Sequence, residues 1–270
     1  QGLSRQYNIP DLSGRTDEIG YLSIALKDMT EELWSRMDSV EQFAADVAHE
    51  IKNPLTSIKS AVETAVMVKD STHQQKLLSI ILDDIQRLDR LITDIADASR
   101  LDAELSRAKV KNIDLVPLIS TFRDLYQATV SSNGVKVCLT ISTTEPIIIS
   151  GIEDRIVQVL RNLVDNAESF SPTDGEINVI AEKSDKVVTI TVNDEGPGIQ
   201  SNSLNYIFDR FYQDRPPGEK FGAHSGLGLN ISKQIIETHG GKIWAENRLS
   251  PTGSILGARV SFSLPLTDIK

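Results

Sequence analysis

Apolar residues in the N-terminal third recur at helical spacing. Leu22, Leu26, Met29, Leu33, Met37, Val40, Ala44 and Val47 advance in steps of 4, 3, 4, 4, 3, 4 and 3 residues. This is heptad packing interrupted by one extra half-step, a stutter that locally unwinds a coiled coil. Phe43, Val47, Ile51, Leu55 and Ile58 continue a buried stripe, so the pattern predicts a helix to about residue 68. Lys69-Asp70-Ser71-Thr72 reads as a turn, with Ser71 or Thr72 as candidate cap. A second helix follows, carrying Leu77, Ile81, Ile85, Leu88, Ile92 and Ile95 on one stripe and continuing to Leu101 and Leu105. Two long helices bury two broad apolar faces poorly by themselves. The pattern therefore predicts an antiparallel helical hairpin that pairs with a second copy, a homodimer, as a four-helix bundle. Docking of both faces onto the downstream chain is the alternative.

Beyond Lys109 the period changes. Strand-like runs at 113–116, 135–142, 175–182, 187–194, 241–247 and 254–264 alternate with helical stretches at 117–131, 152–170 and 226–239. Asn133-Gly134 is a turn signal, and the Pro, Gly and polar residues between 196 and 225 read as a mobile loop. Elements in this order predict an α/β sandwich with helices on one face of a sheet.

Composition changes the picture only at a few points. The 270 residues suffice for two domains, and 40% hydrophobic with 24% charged residues is ordinary for a folded chain. A formal net charge of −10 argues against non-specific binding to nucleic acid or anionic lipid. The single cysteine, Cys138, lies in an alternating run and reads as structural, in keeping with a reducing compartment. No run approaches the length of a membrane span. The chain opens on Gln1, which suggests a fragment whose membrane segments lie upstream.

The candidate chemistry begins at His49 and Glu50, which fall off the apolar stripe and place an imidazole beside a carboxylate on the solvent side of a helix. Asn53 lies one turn further on the same face, and Pro54 removes the helical donor for the Glu50 carbonyl, predicting a bend just after the histidine. A lone surface histidine usually does no chemistry. This one stands in His49-Glu50-Ile51-Lys52-Asn53-Pro54-Leu55, which resembles the phospho-acceptor box of the sensor histidine kinases.

Four downstream motifs extend the resemblance over the whole chain. Asn162 and Asn166 of Arg161-Asn162-Leu163-Val164-Asp165-Asn166-Ala167 share a helix face. Carboxamide oxygens suit Mg²⁺, and the segment resembles the N box of the GHKL ATPases, which implies Asn166 as a Mg²⁺ ligand and Phe170 as a ring against adenine. Asp194-Glu195-Gly196-Pro197-Gly198-Ile199 follows a strand and resembles the first glycine box. That resemblance implies Asp194 as adenine reader, with Gly196 and Gly198 allowing close approach. Ile207-Phe208-Asp209-Arg210-Phe211-Tyr212 resembles the F box, an apolar loop anchor. Gly226-Leu227-Gly228-Leu229 precedes a helix and resembles the second glycine box, whose free N–H groups suit phosphate. Three positions depart from the family pattern: Ser169, Gln213 and His224. Phosphate contacts could come from Arg210, Arg215 or Lys220, and the pattern does not choose among them.

The resemblance implies a GHKL (Bergerat) ATPase domain over 109–270, a dimerisation and histidine-phosphotransfer domain over 40–108, and a partial HAMP module with signalling helix over 1–39. It implies ATP and Mg²⁺ as cofactors and autophosphorylation of His49 polarised by Glu50. It also implies transfer to a response regulator receiver domain, and a phosphatase activity served by Asn53. The implied location is the cytoplasmic portion of a bacterial inner-membrane protein. An ATP-binding pseudokinase and a non-kinase GHKL ATPase are the rival readings. The run from Phe43 to Glu50 further resembles one group of proteobacterial kinases.

Overall fold

The computed structural model describes residues 12, 14–68, 70–107, 110–130, 135–143, 145–212 and 225–267. It forms two compact units, Gln1–Thr56 and Ser57–Lys270. Lys69, Asn133-Gly134, Gln213, Arg215, Lys220 and His224 lie outside the described residues, as does the side chain of Leu105.

Helix α1 (Glu18–Met67) is continuous through Pro54. Leu22, Leu26, Met29, Leu33, Met37 and Val40 are between 47% and 68% exposed, an apolar stripe uncovered in the single chain. The expected stripe changes at the proline, where Pro54 is buried and Leu55 is 51% exposed. A seven-residue repeat alternates steps of four and three, and the step of three after Ile51 falls on Pro54, whose apolar ring needs no donor partner.

In α2 (Ser71–Arg107) the cap is Asp70 rather than Ser71 or Thr72, its Oδ1 accepting from the Thr72 N–H at 2.9 Å. Its Oδ2 lies 2.5 Å from His73 Nδ1, which holds the Asp70 carboxyl below the usual carboxylate range. The buried side of α2 is also rotated from the expected one. Asp84, Arg87 and Leu91 are buried, whereas Ile85 and Ile92 remain 49% and 58% exposed; Leu101, on the expected stripe, is buried as expected. Both helices of this region thus present a second apolar face that the single chain leaves uncovered.

The remainder is a mixed sheet with a helical layer. Strand β1 (Lys111–Asp114) ends where α3 (Leu115–Val130) begins, so Val116, expected in a strand, is helical. Asp114 forces this boundary. Its Oδ1 accepts from the Val116 N–H at 3.1 Å, and Pro117 occupies a first-turn position where no donor is needed. After β2 (Lys136–Ile141), the run Ile147-Ile148-Ile149 yields β3 (Ile148–Gly151), a strand the periodicity did not predict because it is too short to alternate. β3 pairs antiparallel with β1 in a small separate sheet.

Helix α4 (Glu153–Phe170) leads into β4 (Glu176–Lys183) and β5 (Val187–Asn193). Helix α5 (Gly228–Thr238) precedes β6 (Lys242–Leu249) and β7 (Ile255–Pro265). The main sheet has five strands in the order β2-β4-β5-β7-β6. Val188, Ile190 and Val192 of β5 pair with Leu264, Phe262 and Val260 of β7 in the apolar core; α4 packs on β4 and β5, α5 on β6 and β7, and α3 on β2 and α4. Thr191 and Ser261 on the other face share a hydrogen bond of 3.0 Å. The Tyr126 hydroxyl of α3 donates to Glu168 of α4 at 2.5 Å, tying the helical layer together. Among the described residues no helix is long and apolar enough to cross a membrane.

Phe262 is fully buried at the centre of this core. Phe262→Ala is expected to lower the unfolding free energy by about 3–5 kcal/mol, read as a lower urea midpoint. An unchanged midpoint would remove Phe262 from the account of the core.

Candidate functional site

Asp194 follows the last residue of β5 and is 5% exposed. A carboxylate so placed needs partners. Its Oδ1 accepts from the Gly196 N–H at 2.9 Å and the Ala258 N–H at 2.8 Å, leaving Oδ2 without a hydrogen bond among the described residues. Arg248 donates from Nη1 to the Asp194 carbonyl at 2.6 Å. Burial raises the Asp194 carboxyl above its ordinary value, and the Ala258 and Gly196 amides and the Arg248 charge pull it back. Two neighbours must be glycine. A Cβ on Gly257 would stand 2.0 Å from the Asp194 carbonyl oxygen, and one on Gly196 would stand 2.7 Å from the Phe170 carbonyl oxygen.

The loop beyond Gly196 is held by Asn247 of β6. Asn247 Oδ1 accepts from the Ile199 N–H and Nδ2 donates to the Ile199 carbonyl, both at 2.7 Å. Gly198 adopts φ +81°, and a Cβ there would meet Asn247 and Ile255. Neither Asn247 nor Arg248 carries a motif signal in sequence, because each acts on main-chain atoms of a distant segment.

On α4, Asn162 and Asn166 share the expected face with different surroundings. Asn162 Nδ2 donates to the Gly228 carbonyl at 3.0 Å and lies 3.2 Å from Ser232 Oγ, so its carboxamide fixes α4 against the start of α5. Asn166 is half-buried and its side chain makes no hydrogen bond among the described residues. Phe170 closes the same helix, beside Gly196.

Gly226 has φ +75°, a left-handed conformation that favours glycine. Its carbonyl accepts from the Phe211 N–H at 2.9 Å, and Asn230 donates to the Phe208 carbonyl at 2.8 Å, which anchors the F-box segment to α5. The Leu227 N–H donates to Ser225 Oγ at 3.1 Å. Helix α5 then starts at Gly228 with no side-chain cap, so the amides of Gly228, Leu229 and Asn230 point out of its N-terminus. A separate cleft of about 680 Å³, lined by Pro117, Phe122, Tyr126, Val157 and Arg161, contains none of these residues.

In the other unit, His49 and Asn53 are exposed on α1 and Glu50 is half-buried. The His49 imidazole makes no hydrogen bond among the described residues, as its place off the apolar stripe predicts. The sequence-derived residues thus fall into two groups: His49, Glu50 and Asn53 on one helix, and the glycines, asparagines, Phe170 and Asp194 around one cradle.

Known proteins place both groups in context. A family model described as Histidine kinase-, DNA gyrase B-, and HSP90-like ATPase matches residues 151–268. A model of the His Kinase A (phospho-acceptor) domain matches residues 39–104. The sensor protein ChvG of Rhizobium meliloti (strain 1021) is 47% identical over 273 residues, 98% of this chain and 47% of that protein. ChvG of Agrobacterium fabrum (strain C58 / ATCC 33970) is 46% identical over 275 residues, 99% of this chain and 46% of that protein. The chain therefore spans about half the length of these curated relatives, which are of the group that the run from Phe43 to Glu50 resembles. The histidine kinase ThkA, solved in complex with the response regulator protein TrrA, matches with a TM-score of 0.68 and 26% identity, over 89% of this chain and 66% of that one. With a phospho-acceptor domain that contains His49 and an ATP-binding domain that contains Asp194 and Gly226, the chain belongs to the sensor histidine kinases.

Proposed function

We propose that the chain is the catalytic core of a two-component sensor histidine kinase, in which ATP phosphorylates His49 and the phosphoryl group passes to an aspartate of a response regulator receiver domain. The observation that carries this reading is the exposed His49 imidazole beside Glu50, in a chain that also holds the cradle around Asp194 and the open N-terminus of α5. The solved complex of ThkA with TrrA supports a receiver domain as partner.

Asp194 Oδ2 accepts from the adenine amino group, and the Phe170 ring lies against the base. Gly196 and Gly198 let the backbone approach it. The amides of Leu227, Gly228, Leu229 and Asn230 receive the phosphates, with the helix dipole favouring their charge. Asn162 acts by holding α4 and α5 in register. The carboxamide of Asn166, without a hydrogen bond among the described residues, would hold a Mg²⁺ ion. Such an ion would offset charge on the phosphates.

In the reaction, a neutral imidazole nitrogen of His49 attacks the γ-phosphorus. The N–P bond forms as the bond to the ADP oxygen breaks, and the proton on the other ring nitrogen is shared with or taken by Glu50. Asn53 positions a water for the opposing phosphatase activity. The uncovered stripe from Leu22 to Val40 and the exposed Ile85 and Ile92 support a homodimer built through both helices. The boundaries 1–39, 40–108 and 109–270 separate a partial HAMP relay, the dimerisation domain and the ATPase domain. An upstream transmembrane sensor places the chain on the cytoplasmic side of an inner membrane.

Incubation with γ-labelled ATP and Mg²⁺ should put an acid-labile, base-stable label on the native chain, lost in His49→Gln and in Asn166→Ala. Tight ATP binding without any label would favour the pseudokinase. Gly226→Ala should weaken ATP binding at least about tenfold, because its Cβ would press to 2.8 Å from the Phe211 main chain at a left-handed φ. Native-like affinity in a calorimetric titration would remove Gly226 from the phosphate loop.

A further inference from the structure

Helix α2 grips the ATP-binding domain through carboxylates. Asp94 accepts a hydrogen bond from the Ser225 hydroxyl, and one turn later Asp97 accepts from Gln158 Nε2 of α4 at 3.4 Å. Leu91 and Leu101 bracket the two acids and are 2% and 0% exposed. The contact at Ser225 has a second side. The same Ser225 oxygen that donates its proton to Asp94 accepts from the Leu227 N–H at 3.1 Å. Leu227 begins the run of amides that leads into α5, so Asp94, Ser225 and Leu227 form a continuous chain of hydrogen bonds from α2 to the N-terminus of α5. Ser225 itself is 8% exposed, and burial raises the Asp94 carboxyl above its ordinary value.

Through the Ser225 hydroxyl the Asp94 carboxylate is linked to the positive end of α5, where negative charge is favoured. A nucleotide phosphate arriving at the same helix end would claim the Leu227 amide, and it would bring negative charge close to the half-buried Asp94. Ligand and contact therefore oppose each other, and by linkage each weakens the other by the same factor. We propose that Asp94 and Ser225 form a nucleotide-sensitive latch, which clamps the phosphate loop to α2 when no triphosphate is bound and is released by the triphosphate. The latch rests on the reading of α5 as the phosphate end of the nucleotide site. It assigns Asp94, a residue of the phospho-acceptor domain, a part in setting ATP affinity without touching the nucleotide.

The test compares the affinities of ATP and of adenosine, which lacks phosphates, for the native chain, Asp94→Ala, Asp94→Asn and Ser225→Ala by calorimetry. Asp94→Ala should bind ATP about 5–10-fold more tightly, within the usual range of coupling between sites, with adenosine unchanged. Unchanged adenosine binding also shows that the pocket has kept its fold. Asp94→Asn keeps an acceptor for Ser225 without the charge and should fall between native and Asp94→Ala. Ser225→Ala breaks the chain at its middle and should follow Asp94→Ala. Equal ATP affinity in all four proteins overturns the latch and leaves the proposed kinase standing. A native chain that binds neither ligand overturns both. A parallel gain for adenosine also overturns the latch, since the effect would then not come from the phosphates.

Discussion

A buried carboxylate at the end of β5 is the constraint on which the nucleotide end of this molecule depends. Asp194 can sit at 5% exposure only because two main-chain amides meet its Oδ1 and Arg248 meets its carbonyl. The Ala258 amide reaches it because β7 runs beside β5, and Arg248 reaches it from β6 on the far side of β7. Gly257 has no side chain because the strands close to a distance that leaves no room for one. The same strand order brings Asn247 onto both main-chain polar groups of Ile199, which fixes the glycine loop after Asp194. One committed oxygen, one open oxygen and a fixed loop then follow from sheet topology.

The second half of the cradle is held by helix-to-helix contacts. Asn162 joins α4 to the first carbonyl of α5, Asn230 joins α5 to Phe208, and the Gly226 carbonyl joins the turn to Phe211. Each contact pairs a side-chain amide or a main-chain N–H with a main-chain carbonyl of another segment. Three segments distant in sequence are thereby fixed around the helix end without a charged side chain among the anchors. The Asp94–Ser225 contact extends this frame into α2.

Much of this was legible in the sequence, for identifiable reasons. Long elements with a strong period, such as α1, α2, α4 and β7, show themselves, and so do glycines that a close approach demands. The failures also have causes. β3 is too short to alternate, and Val116 looked like strand because the pattern does not register that Asp114 caps the next helix. Leu55 looked buried because four residues separate it from Ile51, but the heptad step falls on Pro54. Asn162, expected at the nucleotide, also clamps α4 to the start of α5, a contact that its motif does not announce. Asn247, Arg248 and Ser225 gave no signal, since a side chain that serves a distant main chain or a distant helix leaves no local pattern.

The proposal that unites these contacts is that the open oxygen of Asp194 reads the adenine amino group of ATP. It is tested most directly by comparing the binding of ATP with that of inosine triphosphate, which differs at the reading position by an oxo group in place of the amino group. The account predicts that inosine triphosphate binds at least about a hundredfold more weakly, because its oxygen would face the carboxylate with no proton between them. Equal affinities would contradict it, and would mean that the carboxylate around which this end of the molecule is built does not read the base.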